Sequence, residues 1–237
     1  MVTVRYSAED AQGKATSSSE ADRAIANAKN AIAHKWLSEA TMRIDHCIEQ
    51  KDKNPAAAVA DKEARTAQYL LSEAEFYYEN TGTQHGIGAI QVQYKRLRDA
   101  GVKILAGDEL NFLFIDRHAQ MIDSGKRLGF NVYVEDLTFY KDRRIAQAKG
   151  TEIPENPPSS GDATKTLLFV GEEAMKFALA DLYDGKSTPT TGDLIAAAFW
   201  CAKLIGVEKL SEWENMIDAA RAAQSERSGL VQLKRHN

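Results

Sequence analysis

Apolar side chains recur at helical spacing along most of this 237-residue chain. The longest run follows Ser17, which together with Glu20 fits an N-terminal capping box. The apolar positions of this run are Ile25, Ile32, Trp36, Ile44 and Ile48. They fall on one face of a helix, so we predict a first helix that ends near Lys51.

Seven further helices are predicted between breaks at glycine and proline. Asn54 and Pro55 suit the N-cap and first turn of the second helix, and Asp108 can cap the fourth. Glycine can adopt the left-handed conformation that ends a helix, and the predicted stops are Gly82, Gly101, Gly129, Gly150 and Gly185. The last three helices are predicted over residues 164–184, 191–207 and 208–225. The predicted total is eight helices.

Three short segments contain residues typical of β-strands. VTVRY at residues 2–6 and NVYV at residues 131–134 are rich in β-branched and aromatic residues, and FLFI at residues 112–115 could form a buried strand. An isolated strand has no neighbour to pair with. We therefore predict a helix through residues 112–115 and a fifth helix after residues 131–134. Strands within residues 110–134 would instead move the fold toward α+β.

The predicted fold is all-α: an orthogonal bundle of about eight helices with extended N- and C-terminal arms. The segment TEIPENPPSSGDA holds three of the five prolines and is predicted to be a loop. The predicted parts are an N-terminal arm (1–17), a first helical core part with a basic middle segment (18–150), the Pro-rich loop (151–163), a second core part (164–227) and a C-terminal tail (228–237).

The composition favours a globular protein of the cytoplasm. Hydrophobic residues make up 43% of the chain and charged residues 27%. The most apolar stretch, residues 194–207, is too short to cross a bilayer and contains Lys203, and no secretory signal is visible at the N-terminus. Cys47 and Cys201 are far apart in the sequence and suit reduced thiols. We expect no membrane partner.

The motifs of common enzymes and metal sites are absent from the sequence. It has no E-x-x-H pair of the di-iron type, no H-E-x-x-H, no G-x-S-x-G, no P-loop and no G-x-G-x-x-G. We therefore predict no catalytic residues, no metal ligands and no cofactor, and favour a non-enzymatic role. Each histidine is interpreted as solvated or hydrogen-bonded.

Clustered carboxylates leave one enzymatic alternative open. Helical pyrophosphohydrolases hold Mg²⁺ with several carboxylates on facing helices. The candidates here are Glu75, Glu79, Glu172, Glu173, Asp181 and Asp184. Their spacing is not specific, and Glu172 four residues before Lys176 is a common helix-stabilising pair. A solvated acidic face is the preferred interpretation, and a Mg²⁺-dependent nucleotide hydrolase the alternative.

The middle of the chain is the one basic part. The whole chain has a net charge of −4, but residues 94–149 carry 11 Lys/Arg against 8 Asp/Glu. Two sets of cations lie beside aromatic residues in this part, a mixture suited to single-stranded nucleic acid. They are Lys95, Arg96 and Arg98 beside Tyr94, and Lys141, Arg143 and Arg144 beside Phe139 and Tyr140. Asp99 and Asp142 interrupt the sets, and an ordinary solvated face is the alternative.

One segment resembles the coat proteins of flexible filamentous plant viruses. It reads KFALADLYDG over residues 176–185 and is followed by Pro189 and by Gly-Asp-Leu at 192–194. In that family an Asp and a later Asp-Gly or Asn-Gly lie among phenylalanines after Lys-Phe-Ala. The matching residues are Lys176, Phe177, Ala178, Asp181, Asp184 and Gly185, whereas Ala180 and Leu182 stand where the family has phenylalanine.

The resemblance implies a helical coat-protein core whose terminal arms link neighbouring copies, with RNA in a basic groove. Asp181 would be structural rather than catalytic, and the protein would occur within a virion. We therefore predict a self-assembling, RNA-binding structural protein, a nucleoprotein that binds single-stranded RNA through the two basic sets. A helical adaptor is the alternative, with candidate hot spots at Phe76, Tyr77, Tyr78 and Trp213.

Overall fold

A computed structural model describes residues 8–54, 58–152 and 155–235, and it describes no side chains for residues 8–18, Asp108 and 227–235. The helices are α1 (Ala8–Lys53), α2 (Ala58–Thr81), α3 (Gln84–Asp99), α4 (Gly107–Leu128), α5 (Asn131–Lys149), α6 (Ala163–Tyr183), α7 (Pro189–Ile205) and α8 (Val207–Arg235). No strand occurs in these ranges. The all-α prediction with eight helices is therefore confirmed.

The helix ends differ from the prediction mainly at the two termini. α1 begins at Ala8, so the predicted capping box at Ser17 lies inside the helix, and the segment 8–17 of the predicted arm continues α1. α8 likewise runs through residues 228–235 of the predicted tail. Residues 1–7, with most of VTVRY, and Pro55 lie outside the described residues.

The segment NVYV is the first turn of α5, although its residues are typical of strands. The N-cap residue Phe130 offers no side-chain hydrogen bond. The buried carboxylate of Glu172 on α6 supplies one instead, because it accepts a 2.8 Å hydrogen bond from the backbone N–H of Tyr133. A side chain of a neighbouring helix thus accepts a hydrogen bond from a backbone N–H at a helix start that has no local cap.

All eight helices contribute to one continuous core. Its largest fully buried side chains include Trp213, Tyr69, Tyr133 and Phe130. α1 packs against α2, α6 and α7, so the two predicted core parts share this interior. At Gly171 on α6 an added Cβ would lie 2.6 Å from the Trp213 ring, so this glycine permits the close approach of α8.

The Pro-rich loop is anchored to α5 by a buried carboxylate. Asp136 accepts a 3.0 Å hydrogen bond from the backbone N–H of Ser159 and a second from the Ser159 hydroxyl. Asp162 then caps α6 by accepting from the backbone N–H of Lys165. In the described ranges, none of the helices has the length and apolar character needed to cross a membrane.

Candidate nucleic-acid interface

The first predicted basic set lies on α3, near the surface. Lys95 and Arg98 are exposed, and Lys95 forms a 2.6 Å ion pair with Asp99 one turn later. Arg96 reaches across to α1 and forms a 2.6 Å ion pair with Asp45. Two of the three cations are therefore already paired with carboxylates, which reduces their attraction for phosphate.

The second predicted set lies on α5 and points partly inward. Lys141, Arg143 and Arg144 are all half-buried. The Arg144 guanidinium lies 4.1 Å from the ring centroid of Phe114 and donates to Asn111 at 3.0 Å, and burial lowers its pKa. Since α3 packs on α1 and α2 whereas α5 packs on α4 and α6, the two sets lie on different pairs of helices.

A different set of cations meets in a groove between α1 and α6. This α1–α6 groove has a volume of about 610 Å³. Its basic side chains are Lys35, Arg43, His46, Lys176 and Lys186, and its acidic ones are Glu39, Glu63, Asp181 and Asp184. A cavity of about 280 Å³ adjoins it, shares Arg43, Lys176 and Phe177 with it, and adds Arg117 of α4.

Helical periodicity produces the two walls of the groove. One wall comes from α1, at positions 35, 38, 39, 42, 43 and 46, and the other from α6, at positions 176, 177, 180, 181 and 184. Steps of three and four residues place side chains on the same face of a helix. Each wall is therefore the polar edge of a helix whose opposite side enters the core.

Two ion pairs hold the groove together. Lys35 donates to Asp181 at 2.6 Å, and Asp181 also accepts a 2.9 Å hydrogen bond from Thr191 on α7. Arg43 donates to both carboxylate oxygens of Glu63 on α2, at 3.1 and 2.9 Å. These contacts tie α1 to α6 and to α2, and they tie α6 to α7.

Two cations, one in the groove and one in the adjoining cavity, form no close ion pair among the described residues. The Lys176 ammonium lies 4.2 Å from the ring centroid of Phe177, and burial lowers its pKa to about 8 against the opposing effect of the Glu173 and Glu39 charges. Arg117 contacts only the amide oxygen of Gln120, at 3.5 Å. Neither has an acidic side chain within 4.0 Å among the described residues, so both can accept an anionic ligand.

The segment that carries the coat-protein resemblance lies along the same groove. Lys176, Phe177, Asp181 and Asp184 all line it. Asp181 is 4% exposed and is held by its ion pair to Lys35. The other two matching positions do not line the groove. Ala178 is buried, and Gly185 has the left-handed φ of 75° that ends α6.

Two of the carboxylates considered for Mg²⁺ have separate structural roles. Glu172 caps α5, and the buried Glu173 accepts a hydrogen bond from the Tyr77 hydroxyl. Burial raises the pKa of each to about 7. In the part of the chain that the structure describes, no three His, Cys, Asp or Glu side chains are grouped so that they could hold a metal ion.

Most aromatic residues considered for an adaptor surface are in the interior. Tyr77, Tyr78 and Trp213 are buried, and Phe76 alone of the four is exposed. Among the histidines, His34 and His85 are exposed, His46 contacts Gln50, and His118 contacts Glu73; His236 lies outside the described residues.

Sequence reasoning did not select Lys35, Arg43, Lys186 or Arg117. The polar stripe on α1 at three- and four-residue steps was a usable signal, but isolated cations in an acidic part of the chain do not raise its local net charge. Comparison with protein-family models, with curated proteins and with solved structures gave no match for this chain.

Proposed function

We propose that the chain binds single-stranded RNA in the α1–α6 groove and assembles with further copies of itself along the strand. The observation that carries this proposal is the convergence at one groove of the basic side chains of α1 and four residues of the segment that resembles filamentous-virus coat proteins. Such a protein would act in the cytoplasm or within a virion.

The groove suits phosphate more than bases. Lys176 and Arg117 form no ion pair within 4.0 Å in the described residues, and the exposed Lys186 is paired there with the exposed Asp184. The rings at the groove, Trp36 and Phe177, are buried and offer little surface for stacking. We therefore expect binding that tolerates any base sequence and weakens as salt rises, because phosphate contacts release counterions.

Fluorescence anisotropy with a labelled oligouridine tests the site. The double variant Arg117→Ala/Lys186→Ala should weaken binding about tenfold and lower the salt dependence, by about 0.7 in the logarithmic slope for each phosphate that is no longer neutralised. The matched doubles Lys95→Ala/Arg98→Ala and Lys141→Ala/Arg143→Ala remove the same charge from the two sets predicted from sequence. Weakened binding confined to either matched double would move the site to α3 or α5.

Assembly is tested by light scattering coupled to size-exclusion chromatography, on protein purified without nuclease. A large species with a high 260/280 nm absorbance ratio that dissociates at high salt is the expected result. A species of constant mass, free of nucleic acid at every salt concentration, would contradict the proposal.

A further inference from the structure

A further cavity, distinct from the α1–α6 groove and from the cavity that adjoins it, is enclosed by α2, α4, α5 and α6. Its volume is about 260 Å³, and aromatic rings form much of its wall: Phe76, Tyr77, Phe114, Tyr140 and Phe169. None of the residues that line the α1–α6 groove lines this aromatic–acidic cavity, and of those that line the cavity adjoining the groove only Met121 is shared with it. It is therefore a separate site.

Carboxylates occupy both ends of this cavity. Glu73 and Glu173 are at its buried end, with Glu173 only 3% exposed, whereas Glu75 is half-buried and Glu79 is exposed at the open end. Neither Glu75 nor Glu79 has a cationic side chain within 4.0 Å in the described ranges. Burial and the neighbouring charge of Glu79 both raise the pKa of Glu75, as expected for an uncompensated pair.

The cations of the cavity are already engaged. Arg144 is stacked over Phe114, which shows that this aromatic wall accepts a positive group, and its guanidinium also donates to Asn111. His118 is held by Glu73. Four glutamates thus face one guanidinium and one imidazole, and the cavity has an excess of negative charge.

His118 supplies an independent indication of a ligand that donates hydrogen bonds. Its Nε2 lies 3.1 Å from Glu73 Oε1, and a carboxylate only accepts, so Nε2 carries the proton. In the neutral ring, Nδ1 then has a free lone pair. The side chain is 8% exposed and lines the cavity, yet Nδ1 has no hydrogen-bond partner among the described residues.

We propose that the aromatic–acidic cavity binds a linear aliphatic diamine or polyamine. One ammonium group would pair with Glu75 and Glu79 at the open end, and the other would donate to the carboxylates and to His118 Nδ1 at the buried end. The methylene chain between them would pack on the aromatic rings, which also attract the adjacent cations. This inference is independent of RNA binding in the groove.

Isothermal titration calorimetry with cadaverine, at physiological salt, tests the proposal on the full chain. We expect one cadaverine per chain, bound at least about tenfold more tightly than pentylamine, which has the same chain length but one ammonium fewer; a charge-assisted contact is worth about that factor. Absence of saturable binding, or equal affinity for the two amines, would overturn the proposal.

Paired variants separate the cavity from general charge attraction. Glu75→Gln/Glu79→Gln should lower cadaverine affinity at least about tenfold, whereas Glu208→Gln/Glu214→Gln, which removes two exposed carboxylates from α8, should leave it unchanged. Phe76→Ser, at a partly exposed wall position, should also weaken binding. Equal losses of affinity in the two double variants would show that cadaverine acts only as a counterion, and would refute the site.

Discussion

Asp181 in the α1–α6 groove and Glu173 in the aromatic–acidic cavity are both buried carboxylates on α6, but their surroundings differ. Asp181 has a lysine at 2.6 Å and a threonine hydroxyl at 2.9 Å. Glu173 receives a hydrogen bond from the uncharged Tyr77 hydroxyl, and burial raises its pKa to about 7. Asp181 is therefore a charged group paired with an opposite charge, whereas Glu173 is close to being protonated at physiological pH.

This difference shows how one helix can serve two unlike sites. A buried ion pair keeps its charges at neutral pH but depends on both members being present, because a single buried charge is costly. A buried acid whose pKa is raised mainly by desolvation instead binds a proton near neutral pH and becomes sensitive to pH. The structure around the groove should therefore lose stability when one member of the ion pair is removed. The structure around the cavity should instead change its stability with pH.

The largest expected effect comes from breaking the ion pair in the groove. Lys35→Met leaves Asp181 buried without a cation and should lower the free energy of unfolding by about 3–5 kcal/mol in urea denaturation. Lys53→Met is the matched control, since Lys53 has an equally short 2.6 Å ion pair with Glu49, but on the exposed surface; it should cost about 0–1 kcal/mol. Adding Asp181→Asn should restore part of the stability. Equal costs for the two lysine variants would contradict this account.

The pH dependence of stability should reveal the acids of α6. The folded-state pKa values of Glu172 and Glu173 are raised from 4.5 to about 7, so their protonated forms stabilise the fold below pH 4.5 and this stabilisation is lost as pH rises to 7. Glu173→Gln should reduce the slope of unfolding free energy by up to about 1.4 kcal/mol per pH unit in this window. Glu172→Gln, which keeps an acceptor for Tyr133, should add a similar reduction. Profiles that overlay the wild type would rule out the assignment.

A smaller effect is expected at the hydroxyl that supports Glu173. Tyr77→Phe removes its hydrogen bond and should cost about 1–2 kcal/mol in thermal or urea unfolding at pH 8. Tyr78→Phe is the control, because the Tyr78 hydroxyl makes no hydrogen bond within the described residues. If both changes had the same effect, the Tyr77–Glu173 contact would contribute nothing specific.

The smallest effect on stability is expected at the groove mouth. Lys186→Ala removes an exposed 3.1 Å pair with Asp184 and should change the unfolding free energy by less than about 0.5 kcal/mol. RNA affinity should nevertheless fall, which would separate binding from folding at this position. A destabilisation as large as that of Lys35→Met would place Lys186 in the structural network instead.

Local signals predicted the helices well where a residue type has one physical role. Gly129 and Gly150 end α4 and α5 with left-handed φ values of 73° and 64°, as the sequence indicated. Residues 131–134 were harder, because the cap that makes them helical is Glu172, 39 residues away along the chain. A contact at that separation leaves no local pattern.

The candidate site was less predictable for the same reason. Density of charge along the chain selected Lys95, Arg96, Arg98, Lys141, Arg143 and Arg144, which the fold distributes over two helices that pack on different neighbours. Arg144 was chosen as a surface cation, yet it packs over Phe114 in a cavity. The groove cations come from α1, α4 and α6 and become neighbours only on folding.

By itself, the sequence determined the helical class and most helix boundaries, because turn residues and apolar spacing act within a few residues of each other. Tertiary structure alone decided which charges are paired, which acids have a pKa raised by burial and which cations share a groove. Those properties depend on desolvation and on distances between helices, and both are set only when the eight helices pack on one core.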